Sequence, residues 1–112
     1  MTTLKTWTGK SQFEYGGSVA EGTTIIFGTT HSKCKVEAWQ YKNLLIEFSE
    51  KTIPVGTSRT TRPPESLGEW IFHNIDKRAI ASYVAPILIA EGYATKLNDG
   101  IKIKGIVHGS ER

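Results

Sequence analysis

Apolar positions fall at strand spacing in the first half of the chain and at helix spacing later. TTIIFG (23–28) is a β-branched, aromatic run of strand length. Before it, Trp7, Phe13 and Tyr15 punctuate a Gly-, Thr- and Ser-rich stretch that predicts short strands near 3–8 and 12–15. Gly16-Gly17 predicts a turn, because glycine reaches positive φ without a Cβ penalty. KCKVEAWQY (33–41) and LLIEFSEKT (44–52) flank Lys42-Asn43 and predict a hairpin. A two-residue loop there sets Tyr41 opposite Leu44 and Trp39 opposite Ile46. One face then gathers Trp39, Tyr41, Leu44, Ile46 and Phe48 as the expected core face of the sheet.

Residues 51–65, KTIPVGTSRTTRPPE, carry three prolines and several hydroxyls and read as a mobile loop. The period then becomes helical. Ser66-Leu67-Gly68-Glu69 has the form of a capping box, and Leu67, Trp70, Ile71 and Asn74 share one stripe. Asp76 is the expected cap of a second helix reaching Glu91, with Ile80, Val84, Ile87 and Leu88 on one face. Pro86 lies inside that helix, removes the amide that would bond the Ser82 carbonyl, and predicts a kink. Gly92 is the expected stop. A second hairpin closes the chain around Asn98-Asp99-Gly100. A three-residue loop pairs Leu97 with Ile101 and Thr95 with Ile103, placing Leu97, Ile101 and Ile103 inside and Lys96, Lys102 and Lys104 together outside. Residues 108–112 are expected to fray.

These elements predict an α+β fold in one domain spanning 1–112. It comprises an antiparallel sheet of about four to six strands, two helices packed on one face, and a C-terminal β-hairpin. The succession of capped helix, second helix and basic hairpin is similar to the helix-and-wing end of a winged-helix domain, over about 40 residues. That resemblance implies a hairpin contacting phosphates beside a helix in the major groove. Two helices stand where a winged helix has three, and Pro86 interrupts the one that would read the groove.

Composition narrows the function classes. The 112 residues carry a formal charge of +3, 38% hydrophobic and 22% charged residues, which is a globular and not a disordered balance. The charge is local. Residues 1–50 are neutral, 51–64 carry Lys51, Arg59 and Arg62 with no acid, 65–95 are slightly acidic, and the remainder is basic again. Lone Cys34 excludes a disulfide framework and a thiolate zinc site, and no apolar run has the roughly 20 residues of a membrane span. With no leader-like apolar core at its start, the chain is expected in the cytoplasm, without a membrane partner.

Catalytic motifs are thin. His31-Ser-Lys-Cys34 offers one thiol and one imidazole but no orienting third group, and His73 and His108 lie elsewhere. GGSVAEG (16–22) lacks the Lys-Ser/Thr ending of a phosphate loop and precedes a strand. No catalytic residue, metal or cofactor is expected. The leading expectation is binding of nucleic acid (DNA or RNA) or a nucleotide-type anion. Its candidate residues are Arg59 and Arg62 in the loop, Lys77 and Arg78 near the second helix, and Lys96, Lys102 and Lys104 in the hairpin. Two alternatives stand beside it. One is a protein-interaction or inhibitor module of a mobile element, self-associating through a sheet edge. The other is a small-molecule binder or enzyme with a pocket at the sheet–helix boundary. Trp7, Tyr15 and Tyr83 are its candidate pocket or interface residues.

Overall fold

A computed structural model describes residues 1–58, 60–98 and 100–105. Its first part is an antiparallel meander of β1 (Thr2–Lys5), β2 (Gln12–Ser18), β3 (Gly22–Phe27) and β4 (Ser32–Val36), adjacent in that order. Alternation buries one face: Phe13 and Tyr15 on β2, Thr23 and Ile25 on β3, Cys34 and Val36 on β4. Gly16 and Gly17 extend β2 instead of turning it, and the turn falls at 19–21, between the paired residues Ser18 and Gly22. At the β4 edge, Lys33 and Lys35 point outward, charges that discourage pairing with another sheet.

The hairpin expected over 33–52 is not formed: its first strand stops at Val36, and a helix, α1 (Ala38–Glu47), runs through the end of that strand, the expected turn and the start of the second strand. β4 pairs back onto β3, and the chain turns at Glu37, whose amide donates to the Gln40 side chain at 2.8 Å. Tyr41, Leu44, Leu45 and Phe48 are buried at the i, i+3, i+4, i+7 spacing of a helical stripe. Trp39 and Ile46, assigned to the core by strand alternation, are 61% and 54% exposed. A short apolar run satisfies both periods, and the contiguous buried stripe decides for the helix.

After α1 come β5 (Thr52–Ile53), α2 (Leu67–Asn74), α3 (Ala81–Ala90) and the hairpin of β6 (Ala94–Leu97) and β7 (Gly100–Ile103). The last three strands form a second antiparallel sheet in the order β5-β7-β6. The fold is thus α+β. Among the described residues it has three helices where two were expected and two sheets where one was.

The 51–65 segment is tied down at its base. β5 pairs with β7, Val55 is buried, and the amides of Leu67 and Gly68 donate to the carbonyls of Pro54 and Val55 at 2.9 and 2.7 Å. Gly68 is obligatory there, because a Cβ would collide with the Gly56 carbonyl. Ser66 caps α2 by accepting the Glu69 amide at 3.1 Å. The reciprocal half of the box is missing, since the Glu69 carboxylate turns to Arg62 and His73.

Asp76 caps no helix; α3 begins after Ile80. Pro86 lies within α3, and the Ser82 carbonyl it leaves without a helical donor accepts the Trp7 amide at 3.0 Å. That bond ties the chain just after β1 to α3. Gly92, at φ +86°, ends α3 in a Schellman motif, with Gly92 bonding Ile89 at 3.1 Å and Tyr93 bonding Leu88 at 2.8 Å.

The terminal hairpin is in a different register from the expected one. Leu97 pairs with Gly100 and Thr95 with Lys102, so Leu97 faces outward and Ala94, Ile101 and Ile103 face inward. Gly100 makes this register possible, because a Cβ would strike the Ile53 carbonyl. A single buried cluster joins both sheets and all three described helices. The Glu91 carboxylate reinforces it, accepting the Tyr15 hydroxyl and the Val19 amide, each at 2.8 Å. No helix among the described residues is long and apolar enough to cross a membrane.

Candidate functional site

The connection from α2 to α3 crosses the open end of the meander. There the end of β3, the start of β4, residue 57 of the long loop and the first turn of α3 enclose a cavity of about 490 Å³. Lys77 and Arg78 line it together with the hydroxyl residues Ser32, Thr57 and Ser82. One wall is aromatic: the Phe27 and Tyr83 rings stack with centroids 4.6 Å apart. Phe13 supports Tyr83 from behind in an edge contact at 5.1 Å.

Arg78 is held by four intramolecular hydrogen bonds. Its Nε and Nη2 donate to Asp76 at 3.0 and 2.9 Å, its backbone amide donates to the same carboxylate at 2.8 Å, and Nη1 donates to the Lys33 carbonyl at 3.1 Å. These bonds hold the Asp76 carboxyl down at about 2, and the carboxylate in turn raises the Arg78 guanidinium above its ordinary range. Arg78 and Asp76 neutralise one another, so the net positive charge of the cavity resides on Lys77. That lysine has no carboxylate within ion-pairing distance among the described residues. The hydroxyls of Thr57 and Ser82 likewise have no side-chain partner among the described residues.

Cys34 lies behind Asp76, donating its thiol to the carboxylate at 3.3 Å. Burial, and then Asp76, push that thiol up to about 12. Both effects disfavour the thiolate, and the hydrogen-bond partner of the thiol is Asp76, not His31. No group of three or more His, Cys, Asp or Glu among the described residues could hold a metal ion.

Of the remaining basic candidates, Arg59 lies outside the described residues. Arg62 is anchored elsewhere: its Nε donates to Glu69 at 2.9 Å and its guanidinium lies 4.2 Å from the Phe72 ring centre. The three hairpin lysines do not share one face. Lys96 stands opposite Ile101, on the inward side of the sheet edge, where its ammonium lies 4.6 Å from the Trp7 ring centre and donates to the Trp7 carbonyl. Lys102 on β7 and Lys104 just after it are both exposed. The candidates Trp7, Tyr15 and Tyr83 part in the same way. Trp7 stacks under Lys96, and Tyr15 is buried and pushed up to about 12 by burial and by Glu91. Only Tyr83 borders the cavity.

No family model, curated protein or solved structure matches this chain. The chemistry of the cavity is therefore the ground for a functional reading. Sequence reasoning named Lys77, Arg78 and Tyr83 but missed Phe27, Ser32 and Thr57. Those three come from a strand end, a strand start and a loop, and no local spacing marks them as neighbours.

Proposed function

We propose that this protein binds a nucleotide-type anion in the cavity at the start of α3. The observation that carries the reading is the convergence of Lys77 and a hydrogen-bonded Arg78 with three hydroxyls beside a stacked aromatic wall. A phosphate group would take the ammonium, the exposed edge of the guanidinium and the hydroxyls, while the Phe27–Tyr83 wall accepts a flat ring. Binding, not bond-making, is the expected outcome, in a cytoplasmic setting. The wider form of the proposal is contact with DNA or RNA, with Lys102 and Lys104 adding phosphate contacts from β7.

The element order α1, β5, α2, α3, β6, β7 supports the likeness to a winged helix, because α1 supplies the third helix that the sequence reading lacked. In this proposal α3 does not enter a major groove. Its segment ASYVAPILIA carries no charge, and the meander covers it through the Trp7 amide bond and the Phe13–Tyr83 contact. Nucleic-acid contact is then contact with phosphates, not base reading by a helix.

The test is a titration of the ¹⁵N-labelled chain with AMP, ATP and inorganic phosphate at low salt, read by amide shifts. Shifts should cluster at Ser32, Thr57 and 77–83, weaken with added salt, and require roughly 10-fold more ligand in Lys77→Ala, the lower end of what one charge-assisted contact contributes. Lys35→Ala, an exposed lysine on the meander edge, should leave the titration unchanged. Absence of shifts around the cavity at millimolar nucleotide would refute the reading.

A further inference from the structure

The helix that replaced the expected hairpin creates a second surface, distinct from the anion cavity. α1 buries Tyr41, Leu44, Leu45 and Phe48 but leaves Trp39 61% exposed. Beside Trp39 runs an open groove of about 770 Å³, bounded by the turn after β2, the first half of α1 and the corner between α3 and β6. Its floor is apolar: Val19, Tyr41 and Leu45 are all buried residues, and Tyr93 flanks them. Its rim is basic, with Lys42 on α1 and Lys104 after β7. Neither lysine has a carboxylate within ion-pairing distance among the described residues.

We propose that this groove docks an acidic amphipathic peptide segment of a partner protein, with a large apolar side chain set against Trp39 and carboxylates at Lys42 and Lys104. Three features select that occupant. An apolar floor edged by unpaired cations complements a segment that carries apolar anchors with acidic flanks, the pattern of helix-in-groove recognition. Single-stranded nucleic acid needs cations tracking its backbone, and two rim lysines around an apolar floor do not supply such a track. A second copy of this chain would meet the groove through a self-complementary two-fold contact. That contact would set one basic rim against the other, like charge on like. The inference is independent of the anion cavity, since no residue lines both; with the wider nucleic-acid reading it shares Lys104, and the Trp39→Ala and dodecathymidylate arms below separate the two.

The experiment pans a phage-displayed library of random dodecapeptides against the full chain. Selected peptides are then synthesised for fluorescence-anisotropy titration. Enrichment should favour sequences combining Trp, Phe or Leu with two or more Asp or Glu. Affinity should fall at least 10-fold in Trp39→Ala, a change at an exposed position that circular dichroism should show leaves the fold intact. The double variant Lys42→Glu, Lys104→Glu should select basic peptides instead, and Lys77→Ala should bind the acidic peptides unchanged. No enrichment, enrichment without acidic residues, or affinity indifferent to both Trp39→Ala and the charge reversal would overturn the proposal. So would competition by a dodecathymidylate, or a dimer in sedimentation that Trp39→Ala dissolves.

Discussion

Asp76 is the residue on which the cavity's geometry and the fold's acid stability both turn. Its carboxylate accepts three bonds from Arg78 and one from the Cys34 thiol. A carboxyl held near 2, where an unstructured aspartate titrates near 3.8, contributes at most about 2.4 kcal/mol at neutral pH. Its side chain is 22% exposed, so solvent screening reduces the expected figure to about 1–2 kcal/mol. Because the folded value is depressed, this stability is complete above the unfolded value and disappears as pH falls through 3.8 toward 2. Asp76→Asn keeps the shape and one acceptor oxygen but removes the charge. Urea unfolding followed by tryptophan fluorescence should show the variant about 1–2 kcal/mol less stable at pH 7, a cost on the scale of one charged hydrogen-bond network. The gap should narrow steadily below pH 4 and nearly close by pH 2. A gap that is constant with pH would mean that shape, not charge, explains the loss. No gap at pH 7 would mean that the Arg78 pair adds nothing to the fold.

Two further substitutions probe how the parts are joined. Gly68→Ala should destabilise the chain by about 1–3 kcal/mol in the same denaturation assay, although alanine favours helices by about 1 kcal/mol, because its Cβ meets the Gly56 carbonyl, which is backbone and cannot swing away. A stabilised variant would show that α2 is free to move off the loop. Glu91→Ala should cost about 2–4 kcal/mol by orphaning the Tyr15 hydroxyl and the Val19 amide, whereas Glu91→Gln, which can serve both groups, should cost about 1 kcal/mol or less. Ultraviolet titration should also find the Tyr15 hydroxyl, pushed up to about 12, lowered in Glu91→Gln, since part of its rise comes from the Glu91 charge.

What could be read from the residues was local, and what could not be read was pairing at a distance. Ser66 as a cap, Gly92 as a stop and a terminal hairpin around Asn98 follow from chemistry within a few residues. The register of that hairpin did not, because the residue that sets it is Gly100, and what lies over Gly100 is the Ile53 carbonyl from a distant strand. The run 38–48 satisfied strand and helix periods alike. Only the Tyr41, Leu44, Leu45 and Phe48 stripe, buried with help from a 2.7 Å hydroxyl contact between Thr23 and Tyr41, separates them.

Pro86 shows the same division within one residue. Its missing amide frees the Ser82 carbonyl, and that much is visible in sequence. The donor that arrives is Trp7, and its arrival brings the meander across α3. That one contact changes what the basic residues can do. Ser82, Tyr83, Pro86 and Ile89 of α3 are left half-buried beneath the meander, and the helix carries no charged side chain. Lys77 and Arg78, at the uncovered start of α3, are left facing the cavity that the meander itself completes with Phe27 and Ser32. The N-terminal strands therefore pack on α3 through Trp7 and Phe13 and, with the same packing, supply the Phe27 and Ser32 walls of the cavity in which the proposed anion would sit.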